Sequence, residues 1–139
     1  MFVIRRHPEN PILSPRREYP WEALAAFNPS VLKQGDETLM YYRAIGNPDA
    51  LVSPHAGQSS IGLARSEDGV HFHSRTQVVM PTESWDAFGC EDPRATFFEG
   101  RWYVFYTALG GFPYGPENIK VAVAVGDAPD KLYEKHLVT

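Results

Sequence analysis

A pattern of apolar residues and turns that occurs twice, 64 residues apart, constrains this 139-residue chain more than any other feature of it. Residues 30–33, a Gln34-Gly35-Asp36 turn and residues 37–44 read as a β-hairpin, both by the turn chemistry and by the alternation of the flanks. Residues 94–98, a Glu99-Gly100 turn and residues 101–108 restate it, with Pro93 matching Pro29 and Ala108 matching Ala44. After each hairpin come a loop rich in Gly and Pro and two more short strands, at 59–66 and 70–74 in the first half and at 119–125 and 132–137 in the second. Two four-stranded units at a period of about sixty residues predict an all-β protein made of two antiparallel four-stranded blades of a β-propeller. The expected bounds are an extended N-terminal arm at 1–27, a first blade at 28–75, an inter-blade loop at 76–93 and a second blade at 94–139. Pro8, Pro11, Pro15 and Pro20 break any regular element in the arm, which leaves room for one helical turn at 21–26.

Charge removes several classes of partner. Seventeen acidic residues against thirteen basic ones give a net charge of −4, without the basic patch that nucleic acid or an anionic membrane would require. No apolar run approaches the length of a membrane span, and the N-terminus lacks the apolar centre of a signal peptide, so a cytoplasmic protein is expected. The single cysteine, Cys90, excludes an internal disulfide.

In a four-stranded meander the start of strand one, the end of strand two and the loop between strands two and three share one end of the sheet. Asn28 and Asp92 take the first of these positions in their units, Arg43 takes the second, and the two long Gly/Pro loops take the third. Function is expected at that end, because a rigid scaffold carries its variable chemistry on loops. The stretch Gly89-Cys90-Glu91-Asp92-Pro93-Arg94 sets three charges against the apolar strand that follows. Asp92, close to Trp85, Phe88 and a second carboxyl on Glu91, is a candidate general acid or base; the competing reading is a strand-capping carboxylate paired with Arg94. Asn28 can serve sugar hydroxyls or simply form a turn, and Arg43 can hold a polyol or an anion or sit in a surface ion pair. His71 and His73 lie on one side of a strand but lack a third metal ligand, and no metal is expected. His55 is a loop histidine within reach of a ligand, Trp85, Phe88, Phe112 and Tyr114 are candidates for stacking on a sugar, and Cys90 beside two carboxylates is a poor nucleophile.

Asn28-Pro29, Tyr42-Arg43, Ser60-Ile61-Gly62-Leu63-Ala64-Arg65-Ser66 with Asp68-Gly69 and Phe72, and above all Gly89-Cys90-Glu91-Asp92-Pro93-Arg94 resemble glycoside hydrolase family 130, the β-mannoside phosphorylases and their hydrolytic relatives. The resemblance runs from about Arg5 to the last residue. It implies the N-terminal portion of a five-bladed β-propeller, since five such blades need about three hundred residues. It also implies inverting phosphorolysis of β-mannosides, of β-1,4-mannooligosaccharide or of mannosyl-glucose or mannosyl-N-acetylglucosamine type, to α-mannose 1-phosphate. Asp92 matches the family's catalytic acid, which acts by relay through a sugar hydroxyl, and Asn28 and Arg43 match residues that hold the sugar. Inorganic phosphate is the co-substrate and no cofactor is implied. The phosphate-binding residues come from later blades, so a homo-oligomer or additional C-terminal blades are expected to complete the site. The alternatives are a family hydrolase acting as a β-mannosidase and a non-catalytic carbohydrate-binding fragment; Asn28, where related furanosidases carry Asp, argues against that group.

Overall fold

A computed structural model describes residues 3–46 and 59–139. The element order is β1 (Ala25–Gln34), β2 (Glu37–Ile45), β3 (Ser60–Ser66), β4 (His73–Val79), β5 (Gly89–Phe98), β6 (Arg101–Leu109), β7 (Ile119–Ala128) and β8 (Lys131–Leu137). They form two antiparallel meanders, β1-β2-β3-β4 and β5-β6-β7-β8, as the repeat predicts. Gly35 at φ 58° and the Glu99-Gly100 pair at φ 47° and 81° make the two tight hairpin turns, which need left-handed backbone. Among the described residues no helix is long and apolar enough to cross a membrane.

The strands run past the bounds expected from the sequence, for identifiable reasons. β1 begins at Ala25 and β5 at Gly89 because each steps over its proline by a bulge, with register shifts between Phe27 and Ser30 and between Glu91 and Arg94. A bulge leaves the residue without a donor outside the ladder while pairing continues on both sides. The stretch 21–26, which had room for one helical turn, instead follows a turn closed by Glu22 N–H on the Tyr19 carbonyl (3.0 Å), after which Leu24 N–H already bonds to the Ile45 carbonyl. β4 is displaced from 70–74 to His73–Val79. Asp68 Oδ1 accepts the backbone N–H groups of Val70 and His71, both at 2.8 Å, and these local bonds take the donors a strand would have used. The connection between the sheets is residues 80–88.

The two sheets share one core. Leu39, Tyr41, Ile61 and Leu63 from the first pack against Trp102, Val104, Tyr106, Ala122 and Ala124 from the second, with the Tyr41 and Trp102 rings 6.4 Å apart and the Tyr41 hydroxyl donating to the Pro129 carbonyl at 2.9 Å. Burial of each large side chain contributes about 1.5–3 kcal/mol. The other face of the first sheet, Met40, Tyr42, Ala44, Ala64 and Phe72, is covered by Ile12, Leu13 and Trp21, so the N-terminal arm is a packed element and more than a surface strap. The second sheet has no such symmetry. Tyr103 and Phe105 stand 64 residues after Leu39 and Tyr41, yet Phe105 is 38% exposed and Phe98 on the same face is 60% exposed.

The repeat extends to a buried polar motif. Trp21-Glu22 and Trp85-Asp86 are also 64 residues apart, and both carboxylates are fully buried. Glu22 accepts from the Tyr42 hydroxyl (2.5 Å) and from Arg75 Nη1 (2.7 Å). Asp86 accepts from the equivalent Tyr106 hydroxyl (2.8 Å), from Lys135 Nζ, and from the backbone N–H groups of Thr82 and Glu83, both at 2.9 Å. Each sheet thus ties its entry segment to its second and fourth strands through one carboxylate.

The arm carries a pH-dependent tether. His71 Nδ1 lies 2.6 Å from Asp68 and Nε2 lies 3.0 Å from Glu9, and the Asp68 hydrogen bond, then its charge and that of Glu9, raise the imidazole above its ordinary value. A raised folded-state value means that the tether is fully present below the ordinary histidine range and is lost as pH rises through the raised one. Amide exchange at Asn10, whose N–H bonds to the His7 carbonyl, is expected to accelerate beyond its intrinsic pH dependence as pH rises from the ordinary histidine range through the raised His71 value, and to lose that excess in His71→Gln.

Candidate functional site

The two bulges that admit Pro29 and Pro93 place Asn28 and Asp92 at the same φ, 49°. Left-handed backbone is rare for residues with a Cβ, Asn and Asp tolerate it best, and a following proline disfavours helical conformations further. Such positions cost on the order of 1–3 kcal/mol each and cluster at functional sites. Here they bring two repeat-equivalent side chains together across the sheet junction, where Asn28 Nδ2 donates to Asp92 Oδ1 at 2.7 Å.

Arg43 completes the group from β2, where it pairs in register with Phe27 on β1 and Ile61 on β3. Its guanidinium carbon lies 5.0 Å from the Phe27 ring centroid. One nitrogen, Nη2, pairs closely with Glu91 Oε1, and Nη1 lies 3.7 Å from Asp92 Oδ1. Ser59 Oγ donates to the same Glu91 oxygen at 2.9 Å. Burial raises the Glu91 carboxyl above its ordinary value, with Arg43 and Ser59 opposing the shift and the Asp92 charge adding to it. Arg94, the partner of Asp92 in the competing reading, instead bonds the Pro93 carbonyl through Nη1 at 2.7 Å, past the register shift between Glu91 and Arg94.

Asp92 remains the accessible carboxylate, with its side chain 41% exposed against 15% for Glu91. Asp92 Oδ1 is taken up by Asn28 and Arg43, while Oδ2 has no hydrogen bond within the described residues. This arrangement offers one fixed carboxylate with a free oxygen, an amide and a guanidinium, a set suited to sugar hydroxyls and to moving one proton. Two carboxylates face one guanidinium, so these residues alone do not form an anion site.

The other sequence candidates lie elsewhere. His55 falls outside the described residues. Cys90 is buried, with its sulfur 3.6 Å from Asp86 Oδ2, and burial, assisted by the Asp86 charge, drives its thiol far up, which rules out a nucleophile. His71 and His73 turn to different carboxylates, Asp68 with Glu9 and Glu67 respectively, at the end of the sheet that carries the tight turns. Trp85 packs against the shared core. Phe112 and Tyr114 are exposed in an edge-to-face pair, centroids 5.5 Å apart, on the β6–β7 loop at the same end of the sheet as Asp92. Sequence reasoning missed Phe27, Ser59 and the cross-sheet role of Glu91. A signal for Phe27 and Glu91 exists: at the 64-residue offset Phe27 matches Glu91, Asn28 matches Asp92 and Arg43 matches Thr107, so these residues occupy positions where otherwise similar repeats differ in charge.

Comparison with known proteins identifies a family and a fold. The family described as β-1,4-mannooligosaccharide phosphorylase, glycoside hydrolase family 130, matches residues 3–120. A β-1,2-mannobiose phosphorylase from Thermoanaerobacter sp. (strain X514) is 38% identical over 120 residues, covering 80% of this chain and 39% of that protein. A 1,2-β-oligomannan phosphorylase from the same organism is 32% identical over 115 residues, 79% of this chain and 37% of the relative. A crystal structure of a glycosyl hydrolase from Bacteroides ovatus superposes with a TM-score of 0.72 at 26% identity, covering 96% of this chain and 40% of the other. The chain spans about two fifths of the length of each relative.

Proposed function

Since the chain belongs to glycoside hydrolase family 130 and its sheets are two blades of that family's five-bladed β-propeller, we propose that it carries the acid and the sugar-holding side chains of a β-mannoside phosphorylase. The observation that carries this is the contact of Asn28, Arg43 and Asp92 across the sheet junction. In the proposed reaction a phosphate oxygen attacks the anomeric carbon from the face opposite the leaving group. The bond from that carbon to the glycosidic oxygen breaks, and the proton held on Asp92 passes to that oxygen through a sugar hydroxyl. The anomeric centre inverts, giving α-mannose 1-phosphate and a shortened saccharide. Phosphate is itself the nucleophile, so one carboxyl acid suffices and no second carboxylate base is required. Asn28 and Arg43 donate to mannose hydroxyls, and no cofactor takes part.

The net negative balance of Glu91 and Asp92 against Arg43 supports a phosphate site supplied from outside these two sheets. The bare Tyr103 and Phe105 face, equivalent to one that is covered in the first sheet, is where a further sheet packs, whether from a longer chain or from a second copy. Both curated relatives act on β-1,2 linkages by name, which makes β-1,2-mannobiose the first substrate to test, ahead of the β-1,4 compounds. The test is incubation with each mannobiose, with and without inorganic phosphate. Mannose 1-phosphate formed only with phosphate supports the proposal, and free mannose formed equally without phosphate would replace it with hydrolysis.

Arg43→Lys keeps the positive charge but loses the planar fork that reaches Glu91 and Asp92 together. Mannoside binding is expected to weaken by about tenfold, the value of one charge-assisted hydrogen bond. Unchanged affinity in a calorimetric titration, with a lowered melting temperature, would assign Arg43 to structure alone.

A further inference from the structure

Glu91 is half-buried, paired with Arg43 and used by no step of the proposed reaction, yet its carboxylate receives donors from two segments of the neighbouring sheet. Oε1 accepts Arg43 Nη2 from β2 and Ser59 Oγ (2.9 Å) from the residue preceding β3. The backbone reinforces the link, since Cys90 N–H donates to the Ser59 carbonyl at 2.8 Å. Arg43 is then bounded on two sides, by the Phe27 ring at 5.0 Å and by Glu91. With Nη2 held this way, Nη1 faces Asp92 Oδ1 at 3.7 Å. In the first repeat the position equivalent to Glu91 is Phe27, so the two bounds on Arg43 are the same repeat position contributed by successive sheets.

We infer that Glu91 is a positioning residue that aims the Arg43 guanidinium at Asp92 and at the sugar, fixing it across the junction of the two sheets. This rests on the proposed function only for the sugar; the aiming of Arg43 rests on contacts within the chain itself. A fork held at one end pays its ordering entropy at folding and presents its remaining donors ready aligned to a ligand.

The test uses the nitrogen-labelled chain without ligand and then with mannose. In the unsubstituted chain the Arg43 guanidinium protons are expected as resolved, slowly exchanging signals. Glu91→Gln, which is isosteric but uncharged, should speed their exchange by about tenfold or more and weaken mannose affinity by about tenfold, as loss of one charge-assisted hydrogen bond requires. Glu91→Asp keeps the charge but is one methylene short, and should restore the signals less than fully. The melting temperature monitors folding in each variant. Arg43 signals that are unchanged in Glu91→Gln would overturn the inference, as would mannose affinity that is unchanged despite altered signals. If mannose binds to none of the chains, the sugar reading fails, and the ligand-free Arg43 signals still decide whether Glu91 aims the guanidinium.

Discussion

Asn in place of Asp92 is expected to lower phosphate-dependent turnover of a β-mannobiose by about a thousandfold, within the range that a positioned general acid contributes. The substitution removes the proton and little else. Asn tolerates φ 49° nearly as well as Asp, its carbonyl oxygen can still accept from Asn28 Nδ2, and Arg43 retains Glu91. Melting temperature and mannose affinity should therefore stay close to those of the unsubstituted protein, so the loss appears in kcat. The comparison belongs in the assembly that turns over, with all five blades if the two-bladed chain is silent. Activity surviving within about tenfold would remove Asp92 from the acid role, because general acid catalysis is worth at least about a hundredfold.

Lys135→Met should cost about 3 kcal/mol of stability, because it strips the cation from a fully buried carboxylate. Asp86 keeps the Tyr106 hydroxyl and two backbone N–H groups, which places the cost at the lower end for a broken buried pair. In a domain of this size that corresponds to a fall in melting temperature of about 10 °C. The direction of the Asp86 shift adds a pH signature. Burial alone would raise its carboxyl, but Lys135, the Glu83 backbone N–H and the Tyr106 hydroxyl outweigh it and the net shift is downward. A depressed folded-state value means that the stabilisation is present above the ordinary aspartate range and is lost as pH falls through the lower folded value. Lys135→Met should flatten that acid limb, and an equally stable variant with an unchanged limb would show that the pair contributes nothing.

The repeat was legible because hairpins announce themselves in two ways at once, through period-two alternation and through Gly-containing turns. The same two signals set the wrong limits at the bulges. Pro29 and Pro93 look like strand breakers, and nothing local shows that Asn28 and Asp92 will enter left-handed backbone and let the ladder continue. Asp92, Asn28 and Arg43 could be placed at one end of the meander from topology alone. Their mutual contacts could not, because these depend on how one sheet stacks on the next. Glu91 was hidden for the same reason: its partners, Arg43 and Ser59, are 48 and 32 residues away in sequence. The buried Glu22 and Asp86 motifs were readable in principle, since Trp21-Glu22 and Trp85-Asp86 share the offset of the hairpins. Charged residues beside a tryptophan in a proline-rich stretch look like surface until a tyrosine and a cation from other strands are seen to enclose them.

The claim that the sheet junction is the sugar site is tested most directly by titrating mannose into the nitrogen-labelled chain and following the side-chain signals of Asn28 and Arg43. The expected result is a saturable shift of both, together with the neighbouring Asp92 and Glu91 backbone amides, and its loss in Arg43→Ala. Saturable binding that moves signals elsewhere and leaves Asn28 and Arg43 unmoved would contradict it.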